Sequence, residues 1–321
     1  MGEISVVVNE FIRDKRRFAD AFNGFCFGGQ QVVLPEDLEE ASEQYAKENG
    51  VGENPETAER FRDVKMRLKS GGELRLLAIE NQSFVDYTMP YRCMEYDCLE
   101  YGRQLKELES ENRKKNLLHG TNEWLSGVRK TDRLIPNYTV CLYHGEDDWD
   151  GPRTLREMMD FGEDVDGMSN LFLDYPLQLF CVNEYECFDM FQTELREVFT
   201  ALNYRKDMAG MRKLMEENEA YRHLDRDSVR VLSVLLKQPQ IWEERNKYMS
   251  KNGETEEYDM CQALRELKEE GRAEGRAEVL DLLVKVVGAL REDSSLCDAV
   301  VAEMCGCSEV EVLTIRKAFE V

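Results

Sequence analysis

The stretch that most constrains this chain runs from Arg62 to Asp86, RDVKMRLKSGGELRLLAIENQSFVD. Two apolar-rich runs, Val64 to Leu68 and Leu74 to Ile79, flank Ser70-Gly71-Gly72-Glu73. Gly-Gly between short hydrophobic runs signals a two-residue hairpin turn, whose central positions need positive φ. With Gly71 and Gly72 as the turn, Ser70 faces Glu73, paired positions sum to 143, and Asp63 stands directly opposite Glu80. Strand side chains alternate, so Lys65 shares the face of Asp63 and Gln82 that of Glu80. Directly opposed residues have Cβ atoms about 4.5–5.5 Å apart, a spacing at which like charges destabilise a sheet. Two carboxylates so placed suit a divalent cation, because Mg²⁺ is typically held by one or two carboxylates while water and substrate phosphate complete its octahedron. On geometry alone, a solvated hairpin face with a shifted or bulged register is the other reading.

Composition narrows the classes. No 18-residue apolar run occurs, and MGEISVVVNEF lacks a charged segment followed by a long apolar one, so neither a membrane span nor a signal peptide is expected. The 10 cysteines are scattered, with Cys305-Gly306-Cys307 the one close pair, and His119, His144 and His223 lie far apart. Reduced thiols in a cytoplasmic chain follow, with no zinc site of the Cys/His type and no Cys-His nucleophile. The 42 Lys and Arg against 65 Asp and Glu give a formal net charge of −23, which argues against gripping DNA with the whole surface. Acid concentrates between Glu36 and Glu59, with nine acidic residues and one Lys, and this reads as an insertion before the first hairpin strand. Cations gather on the hairpin (Arg62, Lys65, Arg67, Lys69, Arg75) and in a second cluster (Arg113, Lys114, Lys115, Arg129, Lys130, Arg133). Any footprint on DNA should therefore be local.

The order Arg62-Asp63, hairpin, Ile79-Glu80-Asn81-Gln82-Ser83, then Met89-Pro90-Tyr91-Arg92 and Tyr96 resembles the Rpn recombination-promoting nucleases and related transposase-like proteins of the PD-(D/E)XK nuclease superfamily. Asp14 and Phe18 are similar to the family's opening Asp-x-x-x-Phe pattern, although Ala19 stands where Lys is usual. Leu134 to Gly145 resembles its later core strand ending in a Gly turn, and Glu269 to Glu278 its Gly/Arg/Glu-rich C-terminal helix. The resemblance implies an α/β fold with a restriction-endonuclease-like core, in which Asp63 and Glu80 hold Mg²⁺ or Mn²⁺ and Gln82 positions the attacking water. Gln82 stands where the superfamily has Lys, within this family's Glu-x-Gln pattern. Lys65 is the candidate to supply the missing ammonium, its plain reading being an exposed lysine beside Arg67 and Lys69. The implied activity is divalent-metal-dependent DNA endonuclease, hydrolysing phosphodiester bonds of double-stranded DNA in recombination or mobile-element biology. Arg62, Arg92, Arg129 and Lys130 are candidates for phosphate contact. Asp14 is either an accessory to the metal or a helix cap. The rival is a catalytically inactive nuclease-fold module that binds DNA or protein.

Along the chain, Glu10 to Phe25 reads as a helix with Phe11, Phe18, Phe22 and Phe25 on one face. A second begins at Thr88-Met89-Pro90, and its apolar stripe Tyr87, Tyr91, Met94, Cys98, Tyr101, Leu105 and Leu108 is expected to face the core, with Arg92 and Tyr96 off it. Leu134 to Tyr143 and Leu177 to Val182 read as strands. His144 ends the former and invites a general-base role, which a nuclease of this type does not require. The expected domains are a nuclease-like core over 1–204 and a helical region over 205–321. In the latter, Ala263 to Val287 forms one long helix suited to self-association, and Leu296 to Met304 and Glu309 to Phe319 form a terminal helix pair. No local reason beyond packing emerges for Asn81 or Trp124.

Overall fold

Gly71 and Gly72 turn the chain with φ of 59° and 82°, the positive pair a type I′ hairpin needs. The strands they join, β2 (Val64–Ser70) and β3 (Glu73–Gln82), pair antiparallel in the expected register, from Ser70 with Glu73 to Val64 with Ile79. The computed structural model describes residues 3–41, 63–163, 167–252, 255–293 and 295–319. The hairpin is extended on one side by β1 (Leu38–Glu40), antiparallel to β2, and on the other by β4 (Asn137–Tyr143) and β5 (Leu179–Cys181), each parallel to its neighbour. The mixed five-stranded sheet has the order β1-β2-β3-β4-β5, and a separate antiparallel pair joins β6 (Met249–Asn252) to β7 (Thr255–Tyr258). Strand β3 is central, and every residue from Leu76 to Gln82 is buried.

Part of the expected acidic insertion is structured. Pro35–Asp37 forms a 3₁₀ turn and β1 follows, anchored by the buried side chain of Leu38. The rest of the insertion, from residue 42 on, lies outside the described residues, as does Arg62.

The first expected helix is two, α1 (Glu3–Ile12) and α2 (Lys15–Phe27). Asp14 divides them by accepting from the backbone N–H groups of Arg16 and Arg17 at 3.0 and 3.2 Å. That is an N-cap, favoured because it satisfies donors with no partner inside the helix. Val7, Val8, Phe11 and Ile12 of α1 and Phe18 and Phe22 of α2 are buried.

Helix α3 (Met89–Lys114) turns the other way from its apolar stripe. Beyond its first turn, where Met89 and Pro90 are buried, its buried residues are Cys93, Tyr96, Asp97, Glu100, Gln104 and Asn112, whereas Tyr87, Tyr91, Cys98 and Leu105 are exposed. The reason is hydrogen-bond complementarity. Asp97 accepts from Asn137, from Thr139 at 2.9 Å and from Tyr175 at 2.6 Å. Gln104 clasps both backbone groups of Ile135, accepting from its N–H at 2.7 Å and donating to its carbonyl at 3.1 Å. Buried polar groups are tolerated when so paired, and a hydrophobic count along one helix does not register partners on another element.

A short α4 (Gly120–Ser126) follows, and after β5 come α5 (Leu195–Asn203), α6 (Met208–Glu217), α7 (Arg226–Leu235) and α8 (Pro239–Glu243). These belong with the sheet. Two compact units divide at Met1–Tyr258 and Asp259–Val321, so the expected boundary after 204 is moved toward the C-terminus. The physical reason is polar as well as apolar: Arg17 of α2, 2% exposed, pairs with Glu194 at 3.2 Å and with Asp225, the N-cap of α7, and Arg230 of α7 pairs with Glu10 of α1 at 2.6 Å. The second unit contains α9 (Met260–Glu292), α10 (Asp298–Cys305) and α11 (Glu309–Phe319), which share a small core of Val286, Leu290, Val301, Ala302, Val312 and Ile315. Gly306, at φ 70°, ends α10.

Candidate functional site

The site lies where β2 begins and β3 ends. Continuing the ladder one step past Val64 and Ile79 puts Asp63 beside Glu80. Glu80 is fully buried. Asp63 is half-buried, and its carboxylate accepts the backbone N–H of Asn81 at 2.8 Å through Oδ2. Its Oδ1 accepts from Asn9 Nδ2 of α1 at 3.1 Å. Burial raises the Asp63 carboxyl above the usual range, against the opposing pull of Asn81, Asn9 and the charge of Arg92.

Tyr96 on α3 senses both acids. Burial pushes its hydroxyl up, and the charges of Glu80 and Asp63 push further, while a hydrogen bond from Arg92 opposes them. Burial works against the Arg92 guanidinium, but Tyr96 and Asp86 outweigh it and hold that group firmly charged. Arg92 is paired directly with Asp86, and Asp86 in turn accepts from Thr88 N–H at 2.8 Å, fixing the first turn of α3.

The donor chemistry at this end of the sheet fits a hard cation. Asp63 and Glu80 offer carboxylate oxygens, and backbone alternation turns the carbonyl of Asn81 to the same edge as its N–H, toward Asp63. Oxygen donors of this kind suit Mg²⁺ or Mn²⁺. Among the described residues no group of three or more His, Cys, Asp or Glu is arranged to hold a metal.

The other expected residues fall out as follows. Gln82 is buried on the Glu80 side of β3, opposite Tyr143. Lys65 is neither exposed nor directed at solvent: its Nζ pairs with Glu100 Oε2 at 2.7 Å, both side chains 1% exposed. Burial lowers the Lys65 pKa in spite of that partner. Asp14 is committed to capping α2. Arg92 belongs to the site but is engaged by Asp86. Arg129 pairs with Asp132 at 2.8 Å, which also accepts from Asn112 near the C-terminal end of α3. Lys130 adjoins it, its backbone N–H donating to Glu123 at 3.0 Å. At about 1.5 Å rise per residue, that end of α3 is roughly 30 Å from Arg92, so Arg129 and Lys130 are not brought to the carboxylates.

Two residues not singled out for the site from sequence join it. Asn9 is a buried amide on an otherwise apolar helix face, EISVVVNEFI, and that isolated polarity was the available signal. Asn81 donates from Nδ2 to Asn9 Oδ1 at 3.2 Å and meets His144 Nε2 through its own Oδ1. Burial and the nearby charge of Arg205 push the His144 imidazole down to about 4, so it is neutral at physiological pH and no ready general base.

The fold and site together define a mixed α/β protein carrying a carboxylate pair at the mouth of a central hairpin. No family model, curated protein or solved structure matches this chain.

Proposed function

We propose that the chain is a divalent-metal-dependent DNA endonuclease of the Rpn type, with a PD-(D/E)XK-like core formed by the five-stranded sheet and its flanking helices. What supports this reading is the register of β2 and β3, which pairs Val64 with Ile79 and so leaves Asp63 and Glu80 one step further along, with Asp63 accepting the Asn81 backbone N–H. Bound there, Mg²⁺ or Mn²⁺ would lower the pKa of a coordinated water and offset charge developing on the scissile phosphate. The chain's own residues do the holding: Asp63 is fixed by Asn9 and Asn81, Glu80 is fixed by burial in β3, and Gln82, one pleat beyond Glu80, orients water. The Rpn resemblance adds double-stranded DNA as substrate and a role in recombination or mobile elements.

A second reading has its own support. Lys65 is sealed against Glu100 and Arg92 is shared between Asp86 and Tyr96, so these cations are taken up by the protein instead of being offered to a phosphate. That pattern favours a nuclease-fold module that binds DNA or protein without cutting. Nicking of supercoiled plasmid at low salt, with Mg²⁺, Mn²⁺ or EDTA and with Asp63→Ala alongside, separates the two. Metal-dependent nicking lost in the variant supports the enzyme; intact plasmid under every metal supports the module.

A further inference from the structure

We propose that Asn9 is a positioning residue for Asp63, and that Asn9, Asn81 and His144 form a directed hydrogen-bond chain that fixes the carboxylate for a cation. This rests on the metal reading of Asp63.

The direction of the chain follows from one premise. A metal-ligating Asp63 is a carboxylate, which accepts hydrogen bonds and donates none. Asn9 must therefore present its amide NH₂ to Asp63 Oδ1, as it does at 3.1 Å. Its carbonyl oxygen is then left to accept, and it does so from Asn81 Nδ2 at 3.2 Å. The Asn81 carbonyl oxygen is left in turn to accept from His144 Nε2, which requires the Nε2–H tautomer of a neutral imidazole. No member can rotate its amide or shift its proton without turning a donor against a donor or an acceptor against an acceptor.

Both ends are anchored. Asn9 sits between Val8 and Phe11 on the buried face of α1. His144 donates its backbone N–H to Gln82 O at 3.0 Å and accepts at its carbonyl from Arg205 Nη1 at 2.7 Å. Among the described residues, Asp63 thus receives one donor on each oxygen, Asn9 on Oδ1 and the Asn81 backbone on Oδ2. Each carboxylate oxygen has two lone pairs, so these two donors take up one on each, leaving the other for a cation as far as the described residues go. Outer partners of this kind orient metal ligands, and losing one typically costs about 10–100-fold in metal affinity.

The test is direct Mn²⁺ titration of the full chain, followed by the electron paramagnetic resonance of free Mn²⁺, with thermal melting as a check on folding. Asn9→Leu keeps volume but removes the amide, and is expected to weaken Mn²⁺ binding about 10–100-fold. His144→Leu is expected to weaken it about 10-fold, whereas His144→Gln, whose Nε2 can donate to Asn81, should stay within about threefold of wild type. The His144 pair carries the test if Asn9→Leu fails to fold. In wild type, ¹⁵N spectra should show His144 as the Nε2–H tautomer. If Asp63→Asn loses Mn²⁺ while Asn9→Leu or His144→Leu binds as tightly as wild type, the chain has no positioning role and the metal reading stands. If wild type binds no better than Asp63→Asn, the metal reading is overturned and the positioning role with it.

Discussion

Two carboxylates border strand β2 and meet opposite surroundings. Glu100 reaches in from α3 and is met by charge, with Lys65 at 2.7 Å and Arg103 at 2.8 Å, and with Gln104 donating at 3.0 Å. Burial alone would raise its carboxyl, but Arg103 and Lys65 outweigh burial and hold it below the usual range. Asp63 is met mainly by neutral amides, and burial wins there, raising its carboxyl. The first acid is neutralised from within the fold, so its work is structural. The second is met by neutral donors and by burial that works against its charge, so the fold offsets that charge far less.

The contrast breaks most sharply at Glu100. Glu100→Ala leaves Lys65 buried without its counter-ion and is expected to cost about 3–5 kcal/mol, read as a lower midpoint in urea unfolding. The double change Lys65→Met with Glu100→Leu should recover most of that loss, since apolar replacement of a buried ion pair is often near neutral. Asp63→Asn should behave oppositely: it keeps an acceptor for the Asn81 N–H and removes a poorly compensated charge, so stability at neutral pH should hold or rise by up to about 1 kcal/mol.

Acid sharpens the comparison next. His144 titrates near 4 in the folded chain against an ordinary 6.5, so the unfolded chain binds the extra proton first and stability falls as pH drops from about 6.5 toward 4. The full effect is about 3 kcal/mol. Glu100, with its lowered pKa, also loses stabilisation in acid, below the ordinary carboxylate range. Asp63 works the other way, its raised pKa making the folded state gain on protonation. Urea midpoints at pH 7, 5 and 4 should fall steadily in wild type and much less in His144→Gln; equal falls in both would remove His144 as the cause. The smallest effect belongs to distance. Arg129→Ala, roughly 30 Å along α3 from Arg92, should leave metal-dependent nicking unchanged, whereas Arg92→Ala, which frees Asp86 and Tyr96, should abolish most of it.

Much of this region could be read from the sequence because Gly71-Gly72 forces one turn, and one turn fixes every pairing out to Val64 and Ile79, the step before Asp63 and Glu80. Strand alternation assigns Lys65 a face but does not reveal depth, and the partner that buries Lys65 lies on α3. The orientation of α3 was hidden for the same reason: Asp97, Glu100 and Gln104 look solvent-facing until Asn137, Lys65 and Ile135 are brought to them. For Asp14 the sequence favours a structural cap over a metal accessory, and backbone donors two and three residues on confirm the cap. Asn9 and Asn81 lie 72 positions apart, and a single amide carries no periodic signal that could join them.

The central claim is that Asp63 and Glu80 form a cation site while Glu100 does not. Thermal unfolding of wild type, Asp63→Asn and the Lys65→Met/Glu100→Leu double variant, with and without millimolar Mn²⁺, tests it most directly, because a ligand bound only to the folded state raises the midpoint. The account predicts a Mn²⁺-dependent rise in wild type and in the double variant, and none in Asp63→Asn. An equal rise in all three, or no rise in wild type, would contradict it.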